Sequence, residues 1–510
     1  MEYLESSFFI ALLIRFWDWV TVLFRGSVLY RFCMWCWAAF KNGPICHFCI
    51  GGTFADGLWT HSQVYRGVLW LINLPSRFIS WLYGKIRPAA DESYACRAVL
   101  GVSERYTSAY LGLTMLVILI IPQKRWDNVY SLMAALLALL FFIASGARNE
   151  RFRFSLREIG FFPVMFAFCV FLGFATSQQM GLSLRFLVFG ITCMIIVLVL
   201  VGSVKSPGNL HTIVALCSIG LFVCAAYALV QRITGVAANG ILTDLDLNAD
   251  MPGRVYSFFE NPNSFANILV LFTPMMLTMA LYTPGGGKKL WYLTVFGLCC
   301  MALLMTYSRG GWLSLAFGLG ILLLALGPRW VPFCMVICVL ALPFLPDNIL
   351  NRLLTIFNTA DSSIYTREYI YSAMGRLIAL YPIFGAGLGA TALKHAINAT
   401  GVYEAKALFI HGHNIYLQIW GEMGVFALIA FLGSMAFAVR GGLQLRRESD
   451  PIIRAVAVGA SCGLCGSLFF GITDYAWSYP RVMVIFWFVF ALIPAAMHIK
   501  NIKEAGKING

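Results

Sequence analysis

Charge is what this sequence has least of. Only 12% of its 510 residues are Asp, Glu, Lys or Arg, about half the share of an ordinary soluble domain. With 60% hydrophobic residues and a mean hydropathy of +0.78, the chain has too little charge to coat a water-facing surface. Acids are scarcer than bases, 23 against 37, for a net charge of +14. Histidine is rare: of seven, His395, His411 and His413 lie in one polar segment, residues 347–413. The start of the sequence shows no cleavable-signal pattern, so none is expected. The first apolar stretch, Phe8–Phe24, is broken by Arg15 and Asp18 and is followed by no small-residue motif.

What the chain has instead is a series of apolar runs near 20 residues. These predict an all-α polytopic membrane protein. Twelve spans are expected, near 106–121, 128–145, 159–176, 182–202, 212–231, 263–283, 290–307, 311–327, 331–345, 414–438, 455–471 and 482–498. With both termini in the cytoplasm, 25 Lys and Arg fall on the cytoplasmic side and 11 outside, with Arg185 inside a span near its external end. That bias follows the positive-inside rule. The positive charge therefore sets topology, and nucleic acid is not an expected partner. The same alternation places Arg254, Glu260, Arg309, the long loop 347–413 before the tenth span, and His413 outside.

The fifteen cysteines are scattered, many within spans (Cys169, Cys193, Cys217, Cys299, Cys300), where they act as small apolar residues. The external loops contain none, so no disulfide framework is indicated.

Residues 1–105 read as a separate region, with short apolar stretches, ten Lys or Arg, and many tryptophans. Helices lying in the cytoplasmic interface fit this pattern; one hairpin dipping into the bilayer is the alternative. Cys33-x-x-Cys36 and Cys46-x-x-Cys49 have zinc spacing, but Met34, Trp35, Trp37 and Phe48 around them suit a membrane-facing surface better. Cys462-x-x-Cys465 lies in a span beside Gly463 and Gly466 and reads as helix packing. Residues 106–500 form the expected membrane core, with 501–510 a cytoplasmic tail. The 347–413 segment has balanced charge and apolar patches, so it is expected to fold as helices capping the core; a structureless loop of that length is unusual.

The chemistry-bearing residues cluster at the expected external ends of spans. Asn414 is a favoured helix cap, which puts His413 beside a helix N-terminus, where the dipole favours the neutral imidazole a general base needs. Gln418 and Glu422 follow at four-residue steps on the same face. An ionisable Glu422 about 12 Å into the helix must face protein or water. The plainer readings are an interfacial histidine and a buried packing contact. Arg309, in Ser308-Arg309-Gly310-Gly311, sits where two spans meet almost without a connector; its plainer reading is a snorkelling arginine. Arg254 lies nine residues before Asn263 in Asn261-Pro262-Asn263, the turn into the sixth span. Two external arginines and an external histidine suit a diphosphate leaving group, because guanidinium binds phosphate oxygens bidentately and stays charged. The external loops show no Asp/Glu/His cluster of metal-holding type, so the arginines are expected to neutralise the charge and no metal is expected.

Four segments carry a resemblance: Gly253–Asn267, Ser308–Gly311, Arg367 through Tyr381-Pro382-Ile383-Phe384-Gly385-Ala386-Gly387-Leu388-Gly389, and His411–Gly424. In these the chain resembles the O-antigen ligase and polymerase superfamily of bacterial membrane glycosyltransferases, over roughly residues 106–500. The resemblance implies transfer of a glycan from polyprenyl diphosphate to an acceptor hydroxyl at the outer face of the inner membrane. It implies His413 as the base or acceptor-orienting group, Arg254 and Arg309 as diphosphate holders, and Arg367, Asn414, Glu422 and His411 as substrate-binding residues, with no cofactor. The acceptor is a lipid A–core glycolipid for a ligase, another lipid-linked glycan for a polymerase, or a protein Ser or Thr for a third kind of relative. Ala427, where a second glycine is usual, leaves that choice open. A lipid-glycan flippase is the reading from another class; it calls for inverted repeats and mid-membrane charges, and no repeat is visible.

Overall fold

The computed structural model describes residues 8–28, 54–149, 152–236, 253–327, 346–354, 362–401 and 411–508, with isolated positions between 30 and 38 and between 334 and 343. The described residues form helices and no strand. The paired cysteines at 33, 36, 46 and 49, and most of the expected span at 331–345, lie outside them.

The helices, in chain order, are α1 (Phe8–Gly26), α2 (Phe54–His61), α3 (Gln63–Ile72), α4 (Leu74–Glu92), α5 (Tyr94–Ile120), α6 (Val129–Arg148), α7 (Phe161–Ala175), α8 (Met180–Ser203) and α9 (Pro207–Thr234). They continue as α10 (Pro262–Tyr282), α11 (Gly286–Met305), α12 (Arg309–Leu326), α13 (Asp347–Leu354), α14 (Ser362–Leu380), α15 (Ala390–Ala399), α16 (Ile415–Gln444), α17 (Pro451–Phe470) and α18 (Pro480–Ile508). Among the described residues nine helices are long and apolar enough to cross a membrane: α6, α8 to α12, and α16 to α18. The expected count of twelve therefore differs in three places. Most of the 331–345 span lies outside the described residues. The 159–176 span is the 15-residue α7, about 22 Å long against a hydrocarbon core of roughly 30 Å. The 106–121 span is only the apolar half of the 27-residue α5, so the boundary drawn at residue 105 falls inside a continuous helix. Residues 501–508 continue α18 as helix.

Short polar residues set the helix starts. Asn261 caps α10, accepting from the Asn263 and Ser264 N–H groups with Pro262 at the first position, and Asp450 caps α17 in the same way. At the centre, α10 and α18 are mostly buried and α17 packs on both. Small residues allow that closeness. A Cβ on Gly463 would meet the Leu271 carbonyl oxygen at 2.0 Å, and one on Gly466 the Ser314 carbonyl oxygen at 2.8 Å. Helix packing, as expected for the Cys462–Gly466 stretch, is what this stripe does.

Helix α16 is broken at Gly424, whose φ is +82°. The Tyr381–Gly389 stretch fills the break. The Ala386 N–H bonds the Gly421 carbonyl at 2.8 Å, the Gly387 N–H the Glu422 carbonyl at 3.2 Å, and the Val425 N–H the Pro382 carbonyl at 3.0 Å. Non-helical backbone within a membrane helix needs such partners, because lipid supplies none.

At the other end of the bundle Glu158 is buried against α18. It accepts from Ser155 Oγ at 2.7 Å and Asn501 Nδ2 at 3.1 Å, and lies 3.4 Å from His498 Nδ1, while Lys205 Nζ is 3.2 Å from His498 Nε2. Burial alone would raise the Glu158 carboxyl, but the bonds from His498 and Ser155 bring it down to about 2. Burial lowers Lys205 to about 8, opposed by the charge of Glu158.

Candidate active site

Helix ends far apart in sequence meet at the α16 N-terminus. Asn414 is the cap: its Oδ1 accepts from the Tyr416 and Leu417 N–H groups, both at 2.9 Å, and its Nδ2 donates to the Ile472 carbonyl. The Ile415 N–H bonds the Gly471 carbonyl at 2.8 Å. These bonds tie the start of α16 to the α17–α18 loop, which carries Asp474. His413 adopts a left-handed φ of +43°, costly for a non-glycine residue and common where function needs a side chain aimed. Its neighbours hold it there. The His413 N–H donates to His411 Nδ1 at 3.2 Å, the Gly412 N–H donates to Gln418 Oε1 at 2.7 Å, and Tyr371 donates to the His413 carbonyl at 3.1 Å. The Tyr371 hydroxyl also lies 3.2 Å from the Ile472 carbonyl oxygen.

The result is that His413 Nδ1 faces Asp474 Oδ1 at 3.4 Å. This is within ion-pair reach and long for a hydrogen bond, as unliganded catalytic pairs often are. Burial alone would raise the Asp474 carboxyl. The contact with His413, and the charges of His413, His411 and Arg367, outweigh it and hold the group well below the usual carboxylate range. Burial, then the nearby His413, pushes His411 down to about 4, so His411 is uncharged at neutral pH.

Arginines converge on the same region. Arg254 donates from Nε to the Thr306 carbonyl at 2.8 Å and from a terminal nitrogen to Asn263 Oδ1 at 2.6 Å. Asn263 Oδ1 also accepts from Ser308 Oγ at 3.1 Å, and Ser308 caps α12. The two arginine motifs of the sequence are thus stitched together, with Arg309 the first residue of α12. Burial lowers Arg254 to about 9, and the charges of Arg352, Arg309 and Arg367 push the same way, against Asp474. Arg367 lies one helical turn before Tyr371 on α14 and so shares its face; its Nε is buried without a hydrogen-bond partner.

Every expected site residue except one joins this assembly. Glu422 is instead enclosed behind it, 1% exposed. It accepts from Gln418 Nε2 at 2.6 Å and bonds Tyr475 and the Gly389 N–H, so it braces the turn through Gln418 and does not face the arginines.

Three contributors were absent from the sequence reading: Asp474, Tyr371 and Arg352. Asp474 had a usable signal, as an acid in the short loop after the eleventh span, which the same alternation puts on the side of His413. The expectation that no metal-type cluster forms there does not hold, because His411, His413 and Asp474 each offer a ligand atom, all within 4.8 Å of one another. Asp474 completes that set from the loop between α17 and α18. Four guanidinium groups in the same field oppose a cation there.

Gln231 holds the Arg254 loop from the far side, its Oε1 accepting from the Ser257 N–H at 2.8 Å and the Tyr256 N–H at 3.2 Å. Arg481 fixes the next turn. Fully buried, it donates to the Ile118, Leu119 and Phe258 carbonyls and to Gln123, between the rings of Trp126 and Phe259.

No curated protein matches the chain. Residues 294–432, a little over a quarter of the chain, match the family model described as O-Antigen ligase. The match contains Arg309, Arg352, Arg367, His413 and Glu422; Arg254 and Asp474 reach the site from either side of it. The nine membrane-length helices and this match fit an inner-membrane protein whose partners are lipid-linked glycan and the bilayer. The match over residues 294–432 supports an O-antigen ligase-like superfamily for that part of the chain.

Proposed function

We propose that this protein transfers a glycan from a polyprenyl diphosphate to an acceptor hydroxyl at the extracytoplasmic face, without a metal, as an O-antigen ligase whose acceptor is a lipid A–core glycolipid. The observation that carries the reading is the His413–Asp474 pair, set at 3.4 Å by a left-handed turn and surrounded by arginines from four separate segments.

The chemistry follows from that arrangement. With Nδ1 turned to Asp474, His413 has Nε2 for the acceptor. The acceptor hydroxyl gives its proton to Nε2 as its oxygen attacks the anomeric carbon. The bond from that carbon to the diphosphate oxygen breaks, and its electron pair leaves with the diphosphate. Asp474 orients the imidazole and stabilises the imidazolium that forms. Arg254, Arg309, Arg352 and Arg367 stabilise the growing negative charge on the leaving group. Cleavage of the glycosyl–diphosphate bond supplies the driving force.

The test is transfer in detergent from a defined polyprenyl-diphosphate glycan to purified core glycolipid, in chelator, with wild type and His413→Ala. Transfer by wild type in chelator and none by the correctly inserted variant is expected. Full activity in the variant removes the base assignment, and activity restored only by a divalent ion makes the His411–His413–Asp474 cluster a metal site. The glycan profile of a deletion strain separates ligase from polymerase. Polymer accumulating on lipid carrier with bare core marks a ligase; core bearing a single repeat unit marks a polymerase.

A further inference from the structure

Helix α8 carries a stripe that the transfer site does not use. Arg185, Phe186, Phe189, Gly190, Cys193 and Val197 recur at three- and four-residue steps, so they share one face. Arg185 is exposed near the helix start, with its guanidinium carbon 5.7 Å from the centre of the Phe189 ring. Beside it is a small polar-mouthed pocket of 160 Å³, which it lines with Ala390, Thr391 and Ser478. Below, Phe186, Gly190, Cys193 and Val197 line a groove of 440 Å³ that is apolar except where Glu422 and Tyr475 border it. The two cavities share Phe186, Tyr475 and Trp477 as walls.

The 15-residue α7 walls the groove along one side, from Pro163 to Phe171. Its outer lip includes Phe168 and Phe171, which are 64% and 46% exposed. From Phe186 to Val197 it runs about 16 Å along α8 at 1.5 Å per residue, the shape of a hydrocarbon chain lying along a membrane helix. A cation at one end of an apolar slot selects an amphiphile with an anionic head. Arg suits a phosphate in particular.

We propose that this groove and its arginine-lined mouth bind one phosphate-headed lipid, with its chain between α7, α8, α16 and α18 and its phosphate on Arg185. None of Arg254, Arg309, Arg352, Arg367 or His413 lines either cavity, so the seat is separate from the arginine cluster. It borders that site through Tyr475, which follows Asp474 and whose ring centre lies 5.7 Å from that of His411. On the transfer reading given above, a lipid held here is the acceptor rather than the donor; the binding itself does not rest on that reading.

The experiment measures lipid retained by the full-length protein in native mass spectrometry, using dioleoyl phosphatidic acid, dioleoylglycerol and inorganic phosphate as separate probes. Retention of phosphatidic acid about tenfold above diacylglycerol is expected, the usual size of one charged contact. R185Q abolishes that preference, and A167F, which fills the groove, removes retention of both lipids. H413A keeps wild-type retention, so loss of transfer and loss of lipid binding are read independently. Equal retention of both lipids by wild type, or phosphatidic acid held as well by R185Q and A167F, overturns the proposal. Phosphate alone bound as tightly as phosphatidic acid makes the mouth a free-anion site and also overturns it. Thermal midpoints of both variants confirm folding, and R185Q, at an exposed position, keeps the test valid if A167F unfolds.

Discussion

His413 and Asp474 lie 61 residues apart on two different interhelical turns, and their side chains meet at 3.4 Å. If Asp474 orients the imidazole, Asp474→Asn leaves the fold intact and lowers kcat by on the order of 10²- to 10⁴-fold, close to the effect of His413→Ala. The double variant is then no worse than the single ones. Additive losses in the double variant, measured as glycan transfer in detergent, would show that the two residues act separately.

Donor affinity is expected to depend on the arginines. Arg254→Gln, Arg309→Gln, Arg352→Gln and Arg367→Gln each remove one charged contact, worth about 1.5–3 kcal/mol. The KM for a polyprenyl-diphosphate donor rises roughly ten- to a hundredfold in each. Lysine at the same positions restores part of the loss, since it keeps the charge without the bidentate fork. A variant set that alters the acceptor KM and leaves the donor KM unchanged would move these arginines to the acceptor side.

Gly424 tests the break in α16. A Cβ there would lie 1.8 Å from the Ile383 carbonyl oxygen, at a φ of +82°. Gly424→Ala therefore carries backbone strain of about 1–3 kcal/mol plus displacement of the 382–389 stretch, and is expected to lower the thermal midpoint in detergent and abolish transfer together. Ala427, fully buried three residues on in regular helix, behaves differently. Ala427→Gly costs about 0.5–1 kcal/mol and retains activity. An unchanged midpoint in Gly424→Ala would rule out the close crossing.

His411 sets an acid limit. Its folded-state value, near 4, lies below the ordinary 6.5. Between those values the unfolded chain takes up a proton that the folded chain refuses, so stability falls as pH drops from about 6.5 to about 4. The full loss is about 3 kcal/mol. His411→Asn is expected to be less stable at pH 7 yet flatter across that window in thermal melts. Asp474, whose folded value is depressed, acts only at lower pH, where it begins to protonate in the unfolded chain. A slope unchanged by His411→Asn would assign the acid sensitivity elsewhere.

Sidedness is tested by an engineered cysteine at Thr400, the cap closing α15. A membrane-impermeant thiol reagent is expected to label it in intact cells. Labelling only after permeabilisation would reverse the orientation and put the His413 site in the cytoplasm.

The sequence announced parts of this site by contrast. Arg254, Arg309 and His413 stand out because charge interrupts apolar runs, and Asn261, Ser308 and Asn414 mark helix starts through their capping chemistry. Tyr371 carried no comparable mark, and Asp474 only that of an acid in a short external loop. Their importance arises only when the α16 N-terminus closes on the α17–α18 loop through Ile415 and Gly471, a contact between segments that local periodicity does not encode. The start of α5 was missed for a related reason. The helix continues into polar residues where hydropathy ends, so an apolar window sees only its second half.

The Tyr371 hydroxyl has a single proton and lies between two carbonyl oxygens, those of His413 and Ile472. Only one of these bonds can be strong at any instant. A small shift of α14 toward one oxygen lengthens its reach to the other. Arg367 lies one turn before Tyr371 on that helix, so any shift of α14 that carries Arg367 also changes which carbonyl, on the His413 turn or the Asp474 loop, the Tyr371 proton favours.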